Sequence, residues 1–327
     1  MRQIKFAVSL PNHDFAVTRA TAERAEALGF HSVSLDDHFF MRGLTETPQT
    51  PHLECFTTLS ALAAVTKRVR LVQMVTSMSY RNPALLAKIT SSLDHISGGR
   101  VTVGVGAGWF REEYAAYNFP YPSNAERIDQ LADGIKVLKA MWTEDEPTWH
   151  GRYFKIEKAY NFPKPAQKPH PPLLIGGSGR NVLKITAAEA DIANLIPPIK
   201  RGEVDLKDAL KFDKPELSRR IETLRGYARA AGRDPNAIEI SGNSYVLAAR
   251  DKSQAEAIVQ ATAAAMQVTD IEAARRSPQV LAGTIDEVKR EIRDRIEKLG
   301  VTYFFMSFPM PDTLEMFAKE IMPEFTS

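Results

Sequence analysis

A single (β/α)8 barrel with insertions is the fold that this sequence predicts, and three observations predict it. The chain opens on a strand, a helix and a second strand. Apolar strand-like runs then alternate with amphipathic helices until eight such runs have passed, which is the count of a closed parallel barrel. Two of the runs end in alternating glycines, as strands do when a loop must hug a ligand. A chain of 327 residues, 44% hydrophobic and 25% charged, can bury one large core. The domain reading is therefore one barrel over residues 1–327, with an irregular insertion at about 196–215.

Ile4 to Leu10 is the first predicted strand, and Phe15 to Leu28 an amphipathic helix closed by Gly29. Ser32 to Leu35 is the second strand, running straight into Asp36-Asp37-His38-Phe39-Phe40. After a Thr- and Pro-rich loop from Thr45 to Pro51 comes a helix from Cys55 to Thr66. The third strand, Val69 to Val75, ends in Thr76-Ser77-Met78-Ser79-Tyr80, and Asn82-Pro83 starts a helix that Ser97-Gly98-Gly99 stops. Val101 to Val105 is the fourth. Ile128, Leu131, Ile135, Leu138 and Met141 give a long helix from Ser123 to Trp142, with Ser123 and Glu126 spaced as a capping box.

The proline-rich stretch from Phe162 to Pro172 reads as an extended spacer that delivers the fifth strand, Pro172 to Ile175. Ile192 to Leu195 is the sixth. Residues 196–215 lack clean periodicity, as lids and substrate loops often do. A helix from Glu216 to Ala231 precedes the seventh strand, Ile238 to Tyr245. Helices Ser253 to Met266 and Asp286 to Leu299, the eighth strand Tyr303 to Ser307 and a closing helix Thr313 to Ile321 complete the chain.

Composition excludes several classes. Net charge is +2, and Arg219-Arg220 and Arg275-Arg276 fall in helical patterns where solvated faces explain them, so nucleic acid is not expected as a partner. The one cysteine, Cys55, allows neither an intramolecular disulfide nor a cysteine-based zinc cluster, which suits a reducing cytoplasm. No metal is expected, because no two histidines have ligand spacing on one element. Met1-Arg2-Gln3 leads directly into a strand pattern and no run of 18 apolar residues occurs, so neither a signal peptide nor a membrane span is expected.

In a barrel the active site lies at the C-terminal strand ends. The groups collected there are Asp36, Asp37 and His38, then Thr76, the turn Gly106-Ala107-Gly108-Trp109 and the turn Gly176-Gly177-Ser178-Gly179-Arg180. The last turn opens a helix, whose free N–H groups and dipole favour an anion such as phosphate, with Ser178 and Gly179 placed as N-caps. Neither turn is a dinucleotide fingerprint, and no P-loop occurs. A histidine titrating near neutrality suits acid/base work beside such a site. His13 stands on the same rim and is carried with Trp109 as a candidate substrate residue, although packing alone also accounts for it. His52, His95 and His150 read as structural, as do Trp142 and Trp149.

Asp37-His38, Tyr80-Arg81-Asn82-Pro83, Gly104 to Trp109 followed by Glu113-Tyr114, Glu126-Arg127, Pro171-Pro172 before Gly176 to Gly179, Gly283-Thr284 and Ile321-Met322-Pro323-Glu324-Phe325 occur in this order. With these marks the chain resembles the bacterial luciferase-like superfamily of barrel oxidoreductases, in particular its branch that uses the deazaflavin coenzyme F420. The resemblance implies a flavin-shaped ring across the barrel mouth, backed by a bulge at Gln73-Met74, often a non-prolyl cis peptide. It also implies Thr76 and Gly106 to Gly108 along the ring, the phosphate at Gly176 to Gly179, His38 near the reactive carbon and Asp37 orienting it or meeting the ring. It further implies a homodimer and a small-molecule substrate.

Hydride transfer needs two carbons held close and dry and an acid/base group for the accompanying proton, a role that the resemblance gives to His38. Trp109 stands where sugar-phosphate-oxidising members carry an acid, so an apolar or aromatic substrate fits better. Arg42 replaces the tryptophan that some alcohol-oxidising relatives place over the ring. The F420 tail would leave past Arg180 and the cations Lys200, Arg201, Lys207, Lys211 and Lys214. The alternatives are an FMN-dependent monooxygenase, a non-redox barrel enzyme for a phosphorylated substrate, and a catalytically silent flavin-binding chain.

Overall fold

The computed structural model describes residues 2–41, 47–199, 202 and 205–326. Arg42, the start of the loop at Thr45, and Lys200, Arg201 and Glu203 of the insertion lie outside the described residues, as does the side chain of Lys207.

Eight parallel strands close into a barrel. They are β1 (Lys5–Ser9), β2 (Ser32–Leu35), β3 (Arg70–Gln73), β4 (Val101–Gly106), β5 (Leu173–Gly176), β6 (Ile192–Asn194), β7 (Glu239–Ala249) and β8 (Val301–Ser307). Closure comes from β8 lying beside β1, with Lys5 opposite Tyr303 and Val8 opposite Met306. Every residue of β2, β4 and β5 is buried, as expected of parallel strands covered on both faces. Ala7, Val72, Leu174, Ile192, Tyr303 and Phe305 pack together as one core cluster. The larger apolar cluster lies between sheet and helices.

The helices follow their predicted signals. Asn82 caps Pro83–Ser97, which ends at Gly98 with φ 68°, and Ser123 with Glu126 forms the capping box of Asn124–Thr143. The proline-rich spacer is pinned from within: fully buried Asn161 donates to Ser91 Oγ at 2.8 Å, and Gln167 Nε2 donates to Asp94 Oδ1 at 2.7 Å. Trp142 is core and Trp149 donates to Asp133 Oδ1 at 2.6 Å, which accounts for both as packing residues.

Three details differ from the sequence reading. The third strand stops at Gln73 and resumes as Thr76–Ser77, and the cis peptide between them is Met74-Val75, one residue later than expected. β7 continues to Ala249, and its outer half pairs with an additional strand, Val280–Thr284, outside the barrel. That strand buries only Leu281 and Gly283, too little apolar pattern to read in a sequence. Arg295, 3% exposed, fastens it by donating to Pro278 O and Val280 O, each at 2.6 Å. It sits where the helix Ile285–Asp294 passes into a π-helical turn, Arg295–Leu299.

Candidate active site

β2 hands the chain to three ionisable side chains, and the structure sends them three ways. Asp36 meets His52. Asp37, 2% exposed, is gripped by Arg81, whose Nη2 donates to Oδ1 at 2.9 Å and Nη1 to Oδ2 at 2.5 Å. Thr76 Oγ1 donates to Oδ2 at 2.8 Å, and Arg81 also reaches Glu54 Oε1 at 2.7 Å over the Phe56 ring. Burial opposes the Arg81 charge, but Asp37 and Glu54 outweigh it and raise its pKa.

His38 turns to Glu113 on the short helix Arg111–Ala116, with Nδ1 at 2.9 Å from Oε2. Glu113 is fully buried and also accepts from the Phe39 N–H and the Tyr80 hydroxyl. A carboxylate can only accept here, so Nδ1 carries the proton and Nε2 is the nitrogen left for a ligand. Burial disfavours the imidazolium, yet the bond to Glu113 and its charge, joined by Asp36 and Asp37, outweigh that and raise the His38 pKa above its ordinary 6.5. Trp109 and Phe110 stand edge-on to the ring, at 5.4 Å and 5.8 Å. The orienting carboxylate is therefore Glu113 and not Asp37, whose oxygens Arg81 and Thr76 occupy.

His38 lines a cavity of about 310 Å³ together with Asp37, Met74, the turn Gly106 to Trp109 and the turn Gly176 to Gly179. Both glycine turns and the histidine thus share one space, with Ile196 to Ile199 as a further wall. At Gly108, φ 78°, a Cβ would fall 2.0 Å from Tyr114 Oη, and at Gly106 it would fall 2.9 Å from Val75 Cγ2, so the turn has room only for glycine. Gly179 is the N-cap of the helix Arg180–Glu189, with no side-chain cap on its first N–H groups. An added Cβ at Gly179 would meet nothing within 4 Å. An uncapped helix start facing open space in a ligand-sized cavity fits an anionic group such as the phosphate of a flavin or deazaflavin.

Four predicted residues lie elsewhere. His13 is exposed, because the chain bends over the rim between β1 and the N-cap Asp14. Gln73 and Thr76 are fully buried; Thr76 serves Asp37, and the Gln73 amide lies between Thr102 O and Gly104 N. Arg180 is exposed and donates to Tyr227 Oη at 3.1 Å. Ser178 does line the cavity, and its hydroxyl is engaged by donating to Ile196 O at 2.5 Å. Of the supposed tail cations, Lys211 pairs with Asp208 and Lys214 with Glu291, each at 2.8 Å.

Glu113, Arg81 and Arg220 are functional candidates that the sequence reading left without a role. Arg220 donates to Ser178 O at 3.3 Å while holding Glu216, so it reaches the glycine turn and is not merely a solvated residue like Arg219. Its sequence signal is its place beside Ile221, on the flank of the buried face of Lys214–Ala230. Among the described residues no group of three His, Cys, Asp or Glu side chains could hold a metal, and no helix is long and apolar enough to cross a membrane.

Fold and site together define a barrel protein with a carboxylate-held histidine and two glycine turns, one of them an uncapped helix start, in one cavity at the strand ends. The chain belongs to the luciferase-like monooxygenase family, whose model matches residues 4–303. It is 28% identical over 246 residues to an FMNH(2)-dependent dimethylsulfone monooxygenase of Pseudomonas putida, covering 75% of this chain and 62% of that protein. It is 29% identical over 222 residues to an F420-dependent glucose-6-phosphate dehydrogenase of Amycolatopsis mediterranei (strain U-32), covering 64% of each. The fold matches that of an F420-dependent secondary alcohol dehydrogenase in complex with an F420-acetone adduct, with TM-score 0.79, 22% identity, and coverage of 99% of this chain and 98% of that one.

Proposed function

We propose that this chain is an F420-dependent oxidoreductase that transfers a hydride between the deazaflavin and a small organic substrate at the C-terminal rim of the barrel. The observation that carries the reading is His38, fixed by buried Glu113, in the same cavity as the Gly176 to Gly179 turn. The deazaflavin, when bound, supplies the carbon that gives or takes the hydride. Gly176 to Gly179 and the helix start would hold its phosphate, and Gly106 to Gly108 with Met74 its ring and chain. In alcohol oxidation His38 Nε2 takes the hydroxyl proton as the hydride leaves carbon; in carbonyl reduction it returns that proton to oxygen. Glu113 keeps the ring in the correct tautomer throughout.

Titrating the purified protein with F420, FMN and NADPH tests the reading. F420 should bind more tightly than FMN. Gly179→Val should weaken F420 binding at least tenfold with the fold intact, because the added side chain fills open space in front of the N–H groups. FMN binding equal to or tighter than F420 binding would turn the assignment to an FMN-dependent monooxygenase. That second reading is favoured by the dimethylsulfone monooxygenase relative and by the pairing of Lys211 and Lys214, which weakens the case for a cationic exit for the F420 tail.

Glu113→Gln supplies a pH test. A reduction needs protonated His38, so its rate should fall as pH rises through the raised pKa of that group. Replacing the carboxylate removes the charge that favours the imidazolium, and the inflection should move to lower pH. A profile unmoved by the substitution would remove His38 as the titrating group.

A further inference from the structure

A second cavity opens on the other side of Met74, the one residue common to the linings of both. It is a half-open space of about 900 Å³ between the C-terminal ends of β1, β7 and β8 and the helix Phe15–Ala27. Its wall is mainly apolar, with Leu10, Val17, Phe308 and Leu314 among its residues. At about 310 Å³ the first cavity is at the small end of ligand pockets, so a second reactant beside the cofactor needs volume of its own. The adjoining cavity supplies it.

Two charged side chains line this second space, Arg24 and Asp36. Arg24 is engaged by Glu315, its Nε donating to Oε1 at 2.9 Å. Asp36 is 40% exposed at its side chain, and its known partners share one oxygen: His52 Nε2 at 2.8 Å and Asn12 Nδ2 at 3.4 Å both meet Oδ1. His52, 7% exposed, stands behind the carboxylate. Among the described residues nothing bonds to Oδ2. Burial works against the Asp36 charge, but the bond to His52 and the nearby imidazoles outweigh it and hold the pKa below the usual value. A carboxylate in a largely apolar chamber with one oxygen unclaimed is a recognition point for a cation.

We propose that this cavity holds the body of the substrate, whose reacting carbon lies past Met74 beside His38, and that Asp36 is its specificity-determining residue, so that the substrate class is an apolar molecule bearing an ammonium group that meets Oδ2. The assignment as substrate chamber rests on the oxidoreductase reading; the preference for an amine does not.

Calorimetric titration with octylamine, octan-1-ol and octanoate tests the proposal. Octylamine should bind at least tenfold more tightly than octanoate, and Asp36→Asn should bring the two within about twofold while octan-1-ol is unchanged. Leu10→Trp, which narrows the chamber, should weaken all three. Octanoate binding as tightly as octylamine, an amine preference that survives Asp36→Asn, or amine binding untouched by Leu10→Trp would overturn it. F420 and FMN titrated in parallel separate the two readings: an Asp36-dependent amine preference with neither cofactor bound leaves the amine site and removes the oxidoreductase, and cofactor binding without the preference removes the amine site alone.

Discussion

Arg81→Ala is expected to cost the folded state roughly 3–5 kcal/mol, the usual result of stranding one member of a buried ion pair. Arg81 takes both oxygens of Asp37, which is 2% exposed, and replacing it leaves only the Thr76 hydroxyl on that carboxyl. Burial already pushes the Asp37 pKa upward against Arg81, so the stranded group will take up a proton rather than keep its charge, which caps the loss. Denaturant unfolding of Arg81→Ala and of the double variant Arg81→Met with Asp37→Asn measures this. The double variant should recover a large part of the stability. A loss under about 1 kcal/mol in the single variant would mean that water replaces the guanidinium and that the pair is not truly buried.

His38→Ala should lower turnover by about two to four orders of magnitude, the range for a lost general acid/base, while cofactor affinity stays within a few-fold. The separation follows from geometry: His38 is at the Glu113 side of the cavity, and the turn that would hold the cofactor's anion is formed by backbone from Gly176 to Gly179. Single-turnover rates and direct binding, measured on the same preparation, report the two effects apart. Undiminished turnover would reduce His38 to a structural partner of Glu113.

The barrel was legible because parallel strands buried on both faces are continuous apolar runs and their helices carry caps, as at Ser123 and Asn82. The two glycine turns and His38 were legible because each sits where a strand run ends. Val280–Thr284 was not, since an edge strand that buries two of its five residues leaves almost no periodic trace. Glu113 escaped for a different reason. It lies 75 residues from His38, and only the closing of β2, β3 and β4 side by side brings them together. The Asp37-Arg81 pair, 44 residues apart, is hidden in the same way, so adjacency in sequence favoured Asp37 as the partner of His38 where space favours Glu113. His13 was overestimated because a rim position says nothing about which way the loop bends.

The seam between β1 and β8 has a consequence for synthesis. Phe6 pairs with Phe304 and Ala7 with Phe305, so the first strand made must wait for nearly three hundred further residues before its edge is covered. At translation rates of about 5–20 residues per second that wait is roughly 15–60 s. Throughout it, one edge of a growing parallel sheet and the ring of Phe6, which packs on Phe304, Phe317 and Phe325, lack their final partners. Yield in a heterologous host should therefore depend on chaperone supply and growth temperature more than on the stability of the finished barrel.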